Sequence, residues 1–284
     1  MKLFTQIGLA SLVSLAAFPM TGWAQTAIPS RATEVRRVVS INLCTDQLLL
    51  LVGKPDQIIS LSFLAQNADI SVMVDKARNY PVNHGLAEEI LPLQPDMVLA
   101  GRYTSRYTVA LLKEQGFNIL VLDPARGVQD IIANLRAVGK AIGRSGFAEK
   151  LIRKIRTEKN YPQAPERVIL YGASGSTAGY PSLGDAAVSK AGYVNIATEL
   201  GIGSWGYLGI EGLLRSNPDL IVFQRSGKSI PSMARQLLDH PALTNSNLPS
   251  RRMDLGKSEL ICGTPALFSA VRAIRNRLVK EQLQ

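Results

Sequence analysis

The chain has few of the residues that bind metal ions in proteins. Its 284 residues include two cysteines and two histidines: Cys44, Cys262, His84 and His240. None of them stands in a CxxC or HxxxH spacing, and such close pairs are what make a metal site predictable from sequence. The sequence therefore predicts no metal centre by itself, and no cofactor is expected.

Long runs of basic residues are also absent. The chain has 32 Lys and Arg against 22 Asp and Glu, a formal net charge of +10, yet no run of five or more Lys or Arg occurs. A basic chain can bind nucleic acid or another anionic partner, most clearly where the charge is concentrated. We interpret most of this charge as a solvated surface and expect no nucleic-acid partner.

Beyond residue 24 no segment reaches the length of about 20 apolar residues that crosses a membrane. Residues 1–24 have the pattern of a cleaved signal peptide, with Lys2, an apolar stretch Ile7–Phe18 and the small residues of Gly22-Trp23-Ala24. No cysteine follows this stretch, so no lipid attachment site is predicted. We expect a periplasmic protein, with an uncleaved anchor as the alternative.

One sequence plan occurs twice in the rest of the chain. Glu88–Gly101 reads EEILPLQPDMVLAG and Glu211–Gln224 reads EGLLRSNPDLIVFQ, each a helix that closes on Pro-Asp before a hydrophobic strand. Helices that alternate with short β-branched runs indicate parallel sheets covered on both faces. We therefore predict an α/β protein of two Rossmann-like lobes with parallel-rich sheets, joined by one long α-helix, with a ligand cleft between the lobes.

The chain is divided by a long helical segment. In it, Val128–Ile142 and Phe147–Lys159 carry apolar residues at helical spacing, and Gly143 to Gly146 marks a break. The predicted domains are the N-terminal lobe at 25–125, the linking helix at 126–160 and the C-terminal lobe at 161–284.

Ligands of open parallel sheets bind beyond the carboxyl ends of the strands. The first helix of the N-terminal lobe, DQLLLLVG, follows the first such end, and we expect Thr45 or Asp46 to cap it. The loops that this rule selects as cleft walls are Asn42–Asp46, Ser62–Gln66, Asn83–Gly85, Gly101–Arg106, Gly172–Tyr180, Ser204–Tyr207, Gln224–Gly227 and Glu259–Thr264.

Both cysteines fall in predicted cleft loops, on opposite lobes. A disulfide between Cys44 and Cys262 is the default for an exported protein, and it would tie the lobes together across the cleft. A pair of thiolate ligands for a soft metal and two unpaired buried thiols are the alternatives. His84 lies in a third loop, where it could complete a three-ligand site with the cysteines, and we expect it to line the cleft.

Arginine, aromatic and hydroxyl side chains supply the other candidate ligand groups. Arg offers fixed donors to carboxylate, catecholate or phosphate oxygens, although exposure to water would equally account for these residues. The glycines of GASGSTAGY at Gly172–Tyr180 allow a ligand to approach closely, but the loop lacks the GK[ST] of a phosphate loop. The candidates are Arg102, Tyr103, Arg106, Thr177, Tyr180, Trp205, Tyr207 and Arg225.

Three motifs, in their order and spacing, resemble the helix-linked substrate-binding proteins of ABC importers for cobalamin, haem and iron–siderophores. RVVSINLCTDQLLLLVG is similar to that family's first strand and helix, and EEILPLQPDMVLAG and EGLLRSNPDLIVF to the signatures of its two lobes. The resemblance covers nearly the whole mature chain. It implies limited closure of the lobes on a ligand and delivery to a membrane permease and its ATPase.

The same resemblance implies roles for three residues. Glu88 (or its neighbour Glu89) and Glu211 would each pair with Arg on the permease, and Trp205, six residues before Glu211, would line the cleft. The helix dipole alone would also favour Glu at both positions. Cys262 in ICGTPAL departs from the family pattern and weakens a direct transfer of its ligand contacts.

The leading hypothesis is a monomeric, non-enzymatic protein without catalytic residues that captures a metal chelate and delivers it to an ABC permease. An iron–siderophore is the first-choice ligand because Arg residues lie at the cleft. A corrinoid is the second, and haem is the third, with His84, Tyr103 or Tyr180 as its axial ligand. The rival classes are an enzyme with Cys44, His84 and Asp46 as nucleophile, base and orienter, and a sensor that docks to a receptor.

Overall fold

The computed structural model describes residues 35–225, 233–244, 249–256 and 258–279. The predicted signal peptide at 1–24 lies outside the described residues, as does Gly227 of one predicted cleft loop. In the ranges described, no helix combines the length and apolar character needed to cross a bilayer.

The first half of the chain forms one parallel sheet. Its strands are β1 (Val38–Ser40), β2 (Ile58–Ser62), β3 (Val82–Asn83), β4 (Met97–Gly101) and β5 (Ile119–Leu122). They lie in the order β3-β2-β1-β4-β5, and each neighbouring pair is parallel. β1 and β4 are apolar and almost wholly buried, as central strands of a parallel sheet are.

Helices cover both faces of this sheet. They are α1 (Leu43–Val52), α2 (Val74–Ala77), α3 (Ala87–Ile90) and α4 (Arg106–Glu114). Leu49 of α1 packs with Val38 and Leu99 in one apolar cluster, whereas Ile90 of α3 and Leu112 of α4 pack in a second cluster with the alternate strand residues. The two clusters follow from the period of two along each strand.

Asn42, and neither Thr45 nor Asp46, caps α1. Asn42 has an extended backbone, and its side chain accepts a hydrogen bond from the Cys44 amide at 3.0 Å. The prediction placed the cap inside the helix because Asp46 is itself a good capping residue. In the structure Asp46 lies in the first turn and is fully buried.

The link between the two halves is a pair of helices rather than one continuous helix. They are α5 (Val128–Ala141) and α6 (Ser145–Arg156). The break comes at Gly143, whose φ of 70° lies in the left-handed region that ends helices. The helices cross closely, since a Cβ added to Gly139 of α5 would lie 2.5 Å from the Cβ of Ala148 of α6. The predicted glycine break is confirmed, and the expectation of one long helix is corrected.

The second half forms another parallel sheet and a short ribbon. Its strands are β6 (Arg167–Gly172), β7 (Ser176–Thr177), β8 (Val194–Asn195), β9 (Gly206–Tyr207), β10 (Leu220–Arg225) and β11 (Arg251–Gly256). The sheet has the order β11-β10-β6-β8 in the described residues, and β7 pairs with β9 as an antiparallel ribbon. β11 forms one edge of this sheet.

The helices of the second half are mostly short. They are α7 (Leu183–Lys190), α8 (Ile196–Glu199), α9 (Ile210–Arg215), α10 (Met233–Gln236), α11 (Pro241–Thr244), α12 (Ser258–Ile261) and α13 (Leu267–Val279). Along β6, Ile169 and Tyr171 pack with Leu213 of α9, and the alternate residues Val168 and Leu170 pack toward α7 and α13. Both faces of this sheet are therefore covered, and the predicted α/β fold class with parallel-rich sheets is confirmed.

A single apolar cluster runs through both halves of the chain. It includes Leu49 of α1, Leu135 of α5, Ile152 of α6 and Phe268 of α13. The linking helices are therefore part of the main core and hold the two sheets in one body. The predicted domain boundaries stay a prediction.

Candidate functional site

The carboxyl ends of the central strands of both sheets lead into loops that contain candidate residues. In the first sheet, β1 is flanked by β2 and β4, so the chain order reverses between β1 and β4. Open α/β sheets bind ligands at such a reversal. In the second sheet, β6 lies between β8 and β10, and its carboxyl end leads into the loop of Thr177 and Tyr180.

A cavity of about 420 Å³ is lined by residues of both halves. The first half contributes Tyr103 and Arg126, and the second contributes Ser182, Trp205, Gln224 and Ile261. Gln224 is the last residue but one of the central strand β10, at the carboxyl end that the strand rule predicts. We call this space the cleft cavity.

A smaller cavity of about 280 Å³ adjoins the cleft cavity, since Tyr103 lines both. Asn42 and Cys44 line it at the start of α1, and Gly263 lines it from the second half. Gly263 packs directly on Ala125, where a Cβ would overlap the alanine side chain. Glycine at position 263 therefore lets the two halves meet beneath the cleft.

Cys44 and Cys262 form a disulfide that joins the two halves at this point. The residues are 218 positions apart in sequence, and their Cα atoms lie 5.0 Å apart. Cys44 lines the smaller cavity, and Cys262 is buried between α12 and α13. The default prediction is confirmed. The thiolate-pair and free-thiol alternatives are wrong, because each sulfur is bonded to the other and neither is available as a thiolate.

Exposed aromatic rings stand at the cleft on both halves. Trp205 and Tyr207 contact each other edge to face, with ring centroids 4.6 Å apart, and are 64% and 59% exposed. The pairing of β9 with β7 holds this segment in place. Tyr103, from the first half, lines the same cleft cavity as Trp205 and is 82% exposed. These rings bury little surface within the protein and are free to stack on a ligand.

Two of the three predicted arginines are held by carboxylates of the protein. Arg102 donates to Asp123, and this pairing raises the pKa of Arg102 and lowers the pKa of the Asp123 carboxyl. Arg225 donates to Asp239 at 2.7 Å and to Asp254 at 2.9 Å. Arg106 is exposed at the start of α4, and in the described part of the chain no ion pair or hydrogen bond holds its side chain.

His84 is engaged away from the disulfide. Its ring stacks on Phe63 with centroids 5.1 Å apart, and its Nδ1 lies 2.8 Å from Oε1 of Glu89. This hydrogen bond lowers the pKa of the Glu89 carboxyl. His84 lines neither cavity, so its place in the cleft stays a prediction. The three-ligand site with the cysteines is wrong, because both sulfurs are in the disulfide. Among the described residues, no three His, Cys, Asp or Glu side chains are grouped to hold a metal ion.

The enzyme alternative required Cys44, His84 and Asp46 to act together. Cys44 is in the disulfide and His84 is paired with Glu89, while the buried Asp46 accepts hydrogen bonds from the backbone amide and the hydroxyl of Ser62. The three groups therefore do not form a catalytic triad. Burial raises the pKa of Asp46 to about 7, although its hydrogen bonds act in the opposite direction.

The loop Gly172–Tyr180 places its two candidates differently. Thr177 is 2% exposed, and its hydroxyl finds no hydrogen-bond partner among the described atoms. Tyr180 is 69% exposed, and its neighbour Pro181 lines the cleft cavity. Neither Thr177 nor Tyr180 lines the two cavities, so a ligand-binding role for either stays a prediction.

Glu88 and Glu211 occupy equivalent places in the two halves. Each is the second residue of a short helix, α3 or α9, and each is exposed. Neither carboxylate has an ion-pair partner in the ranges that the structure describes, whereas Glu89 is held by His84. Of the two neighbours, Glu88 is therefore the carboxylate available to an outside partner.

The segment after β5 was missed by the sequence reasoning. Asp123 pairs with Arg102, Arg126 lines the cleft cavity, and Asn134 of α5 lines the smaller one. The rule that selected the other loops would have selected this one, because it follows the carboxyl end of a parallel strand. The sequence LDPARG, which begins at the end of the hydrophobic run of β5, already indicates such a loop.

Comparison with known proteins identifies what this arrangement is similar to. A family model described as periplasmic binding protein matches residues 38–247. A cobalamin-binding protein of Halobacterium salinarum is 24% identical over 236 residues, which cover 78% of this chain and 63% of that protein. An ABC transporter substrate-binding lipoprotein of Bacillus subtilis, itself uncharacterised, is 21% identical over 128 residues, 44% of this chain and 40% of its own.

A solved structure shares the whole architecture. The haem-binding protein RhuT from Roseiflexus sp. RS-1, in its apo form, superposes with a TM-score of 0.70 at 18% identity. The superposition covers 87% of this chain and 98% of that one. At this level of identity the likeness establishes the fold.

Proposed function

The chain belongs to the periplasmic binding protein family, and we propose that it captures a metal chelate between its lobes and delivers it to an ABC permease. The observation that carries the proposal is the cleft cavity, which takes Tyr103 and Arg126 from one half and Trp205 and Gln224 from the other. A ligand held there touches both lobes at once, so its binding favours the closed arrangement.

The aromatic lining supports a flat macrocyclic chelate as the ligand. Tyr103 and Trp205 present largely exposed rings to the same cavity, and stacked rings are worth about 0.5–1.5 kcal/mol beyond their burial. A corrinoid and a haem are both chelates of this kind, and the matched relative of Halobacterium salinarum is named as cobalamin-binding. We place the corrinoid first.

Haem is the second candidate, and one residue favours it. Tyr103 offers a phenol oxygen, one of the groups that serve as an axial ligand to haem iron, and it is 82% exposed and lines the cleft cavity with Arg126. A Tyr103→Phe variant keeps the ring and removes the oxygen. Haem binding should weaken in this variant with a change in the Soret band, while corrinoid binding should stay within about twofold.

An iron–siderophore was the first expectation from the sequence, and the ion pairs weaken its support. An anionic siderophore was expected because cationic Arg side chains were predicted at the cleft. Arg102 is paired with Asp123, and Arg225 with Asp239 and Asp254. Of the described residues that line the cleft cavity, Arg126 is the cation that remains for an anionic ligand, and Arg106 lines neither cavity. Ferric siderophores therefore stand third.

Delivery to the permease is assigned to the two exposed glutamates. Glu88 and Glu211 occupy equivalent helix positions on the two lobes, which suits a docking surface with one acidic contact on each lobe. The predicted signal peptide supports action in the periplasm.

Fluorescence titration of the protein with cyanocobalamin, haemin and a ferric siderophore panel tests the proposal. We expect saturable quenching of Trp205 by one of the macrocycles. Equilibrium dialysis, which does not depend on tryptophan fluorescence, should show a loss of more than about tenfold in affinity for that macrocycle in Trp205→Ala. Phe147→Ala is the matched control, because Phe147 is also a partly exposed aromatic residue but lies on α6 and lines neither cavity. Failure of every ligand class to bind would refute the proposal.

A further inference from the structure

The solvent side of α6 is strongly cationic. α6 buries Ala148, Ile152 and Ile155, and helical periodicity places Lys150, Arg153 and Lys154 on the opposite side. These three residues and Arg156 are all exposed. We call Lys150, Arg153, Lys154 and Arg156 the basic face of α6.

The acidic residues nearby in sequence are already paired with other arginines. Between residues 140 and 159 the chain has seven Lys and Arg but only Glu149 and Glu158 as acids. Glu149 is bound by Arg136 of α5 at 2.6 Å. This hydrogen bond is the main cause that lowers the pKa of Glu149, and the charges of Arg156 and Arg153 lower it further. Glu158 is bound by Arg272 of α13 at 3.1 Å. The basic face therefore keeps most of its charge.

This charge is more than the helix itself needs. Basic residues in the last turn, where Arg153, Lys154 and Arg156 lie, are favoured by the helix dipole. The dipole does not account for Lys150, which stands four residues before Lys154, since like charges at that spacing destabilise a helix. A single Glu at position 150 or 154 would replace this repulsion with an attraction.

The surroundings indicate a broad anionic surface rather than a small ligand. None of the four residues lines the cavities of the cleft, and all four are exposed along the last two turns of one helix. Anionic lipid head groups attract each nearby Lys or Arg without any pocket. Because the apolar side of α6 is packed in the core, such contact would be electrostatic and reversible, without insertion.

We infer that the basic face of α6 binds the surface of bilayers containing anionic phospholipid. This contact does not depend on the proposed ligand. It would hold the protein near the membrane, so that the protein would reach a membrane partner by diffusion in two dimensions instead of three.

Co-sedimentation with vesicles tests the inference. The protein, as purified from cells, is mixed with vesicles of phosphatidylglycerol and phosphatidylcholine, or of phosphatidylcholine alone, at about 0.15 M salt. We expect binding to the anionic vesicles only, and a partition coefficient more than about tenfold lower for Lys150→Glu/Arg153→Glu/Lys154→Glu.

A matched control separates the basic face from net charge. Lys76→Glu/Lys113→Glu/Arg215→Glu changes the net charge by the same amount at three exposed positions on other helices, and it should bind almost as the unmodified protein does. Equal losses in the two variants, no loss in the α6 variant, or no binding of the unmodified protein would each overturn the inference. If the Glu variant does not fold by circular dichroism, triple Gln variants at both sets of positions replace the two Glu variants, so that the net charge again changes equally in the two.

Discussion

Removal of the Cys44–Cys262 disulfide should destabilise the protein by several kcal/mol. In the chain-entropy account, a cross-link restricts the unfolded chain by an amount that grows with the logarithm of the loop it closes. For residues 218 positions apart, that relation gives about 5 kcal/mol at 25 °C. Residual structure in the unfolded chain reduces the effect, so we expect about 3–5 kcal/mol for Cys44→Ala/Cys262→Ala.

Urea unfolding followed by far-ultraviolet circular dichroism measures this difference. The double variant should unfold at a lower urea midpoint, and its m value should rise, because the unlinked chain exposes more surface when unfolded. The unmodified protein in reductant should match the double variant, since both lack the bond. The variant itself should not respond to reductant.

The structure makes this experiment decisive because the bond joins the two halves. If the halves unfold together, the full loop is constrained and the effect is large. A loss below about 1 kcal/mol, with reductant also without effect on the unmodified protein, would refute the reasoning. Two separate transitions in the double variant, where the unmodified protein shows one, would indicate that the disulfide couples the unfolding of the two halves.

Three further predictions follow from the described contacts. The folded pKa of Asp46 is about 7 against 3.8 unfolded, so its buried proton stabilises the fold below pH 4 and this stability is lost as pH rises to 7. Urea unfolding across that range should show a fall of up to about 4 kcal/mol that Asp46→Asn removes; equal pH dependence in the two proteins would contradict it. Gly139→Ala should cost about 1–3 kcal/mol by urea unfolding, because its Cβ would crowd Ala148, whereas Gly146→Ala in the open should cost nothing. Glu88→Ala/Glu211→Ala should keep ligand affinity in titration and lose binding to a reconstituted permease; undiminished permease binding would exclude these docking contacts.

The sequence was sufficient for the architecture because burial leaves a direct pattern. The buried runs of β4 and β10 are each preceded by a short helix and Pro-Asp, and this repeat indicated two parallel sheets. The helix break at Gly143 was also evident from its glycine.

The site was less predictable because its state depends on partners far apart in sequence. The pairing of Arg225 with Asp239 and Asp254 brings together a strand end, a turn and an edge strand, and no local pattern reveals it. The same applies to His84, whose partner Glu89 was considered only as a docking residue. The Cys44–Cys262 disulfide was predicted from the compartment alone, and its formation depends on how the start of α1 meets the turn after α12 across the two halves.

The position of the disulfide also has a consequence for how the protein is made. Synthesis runs from the amino terminus, so Cys44 exists as a thiol until the chain has grown by the further 218 residues that bring Cys262. No other cysteine is available to it in the chain. An incomplete molecule therefore carries one thiol, a complete but reduced one carries two, and one whose thiols an oxidant of the compartment has converted to the disulfide carries none. Thiol labelling of newly made chains would mark the molecules that still lack the disulfide, and the unlabelled full-length chains would be those that have finished assembly.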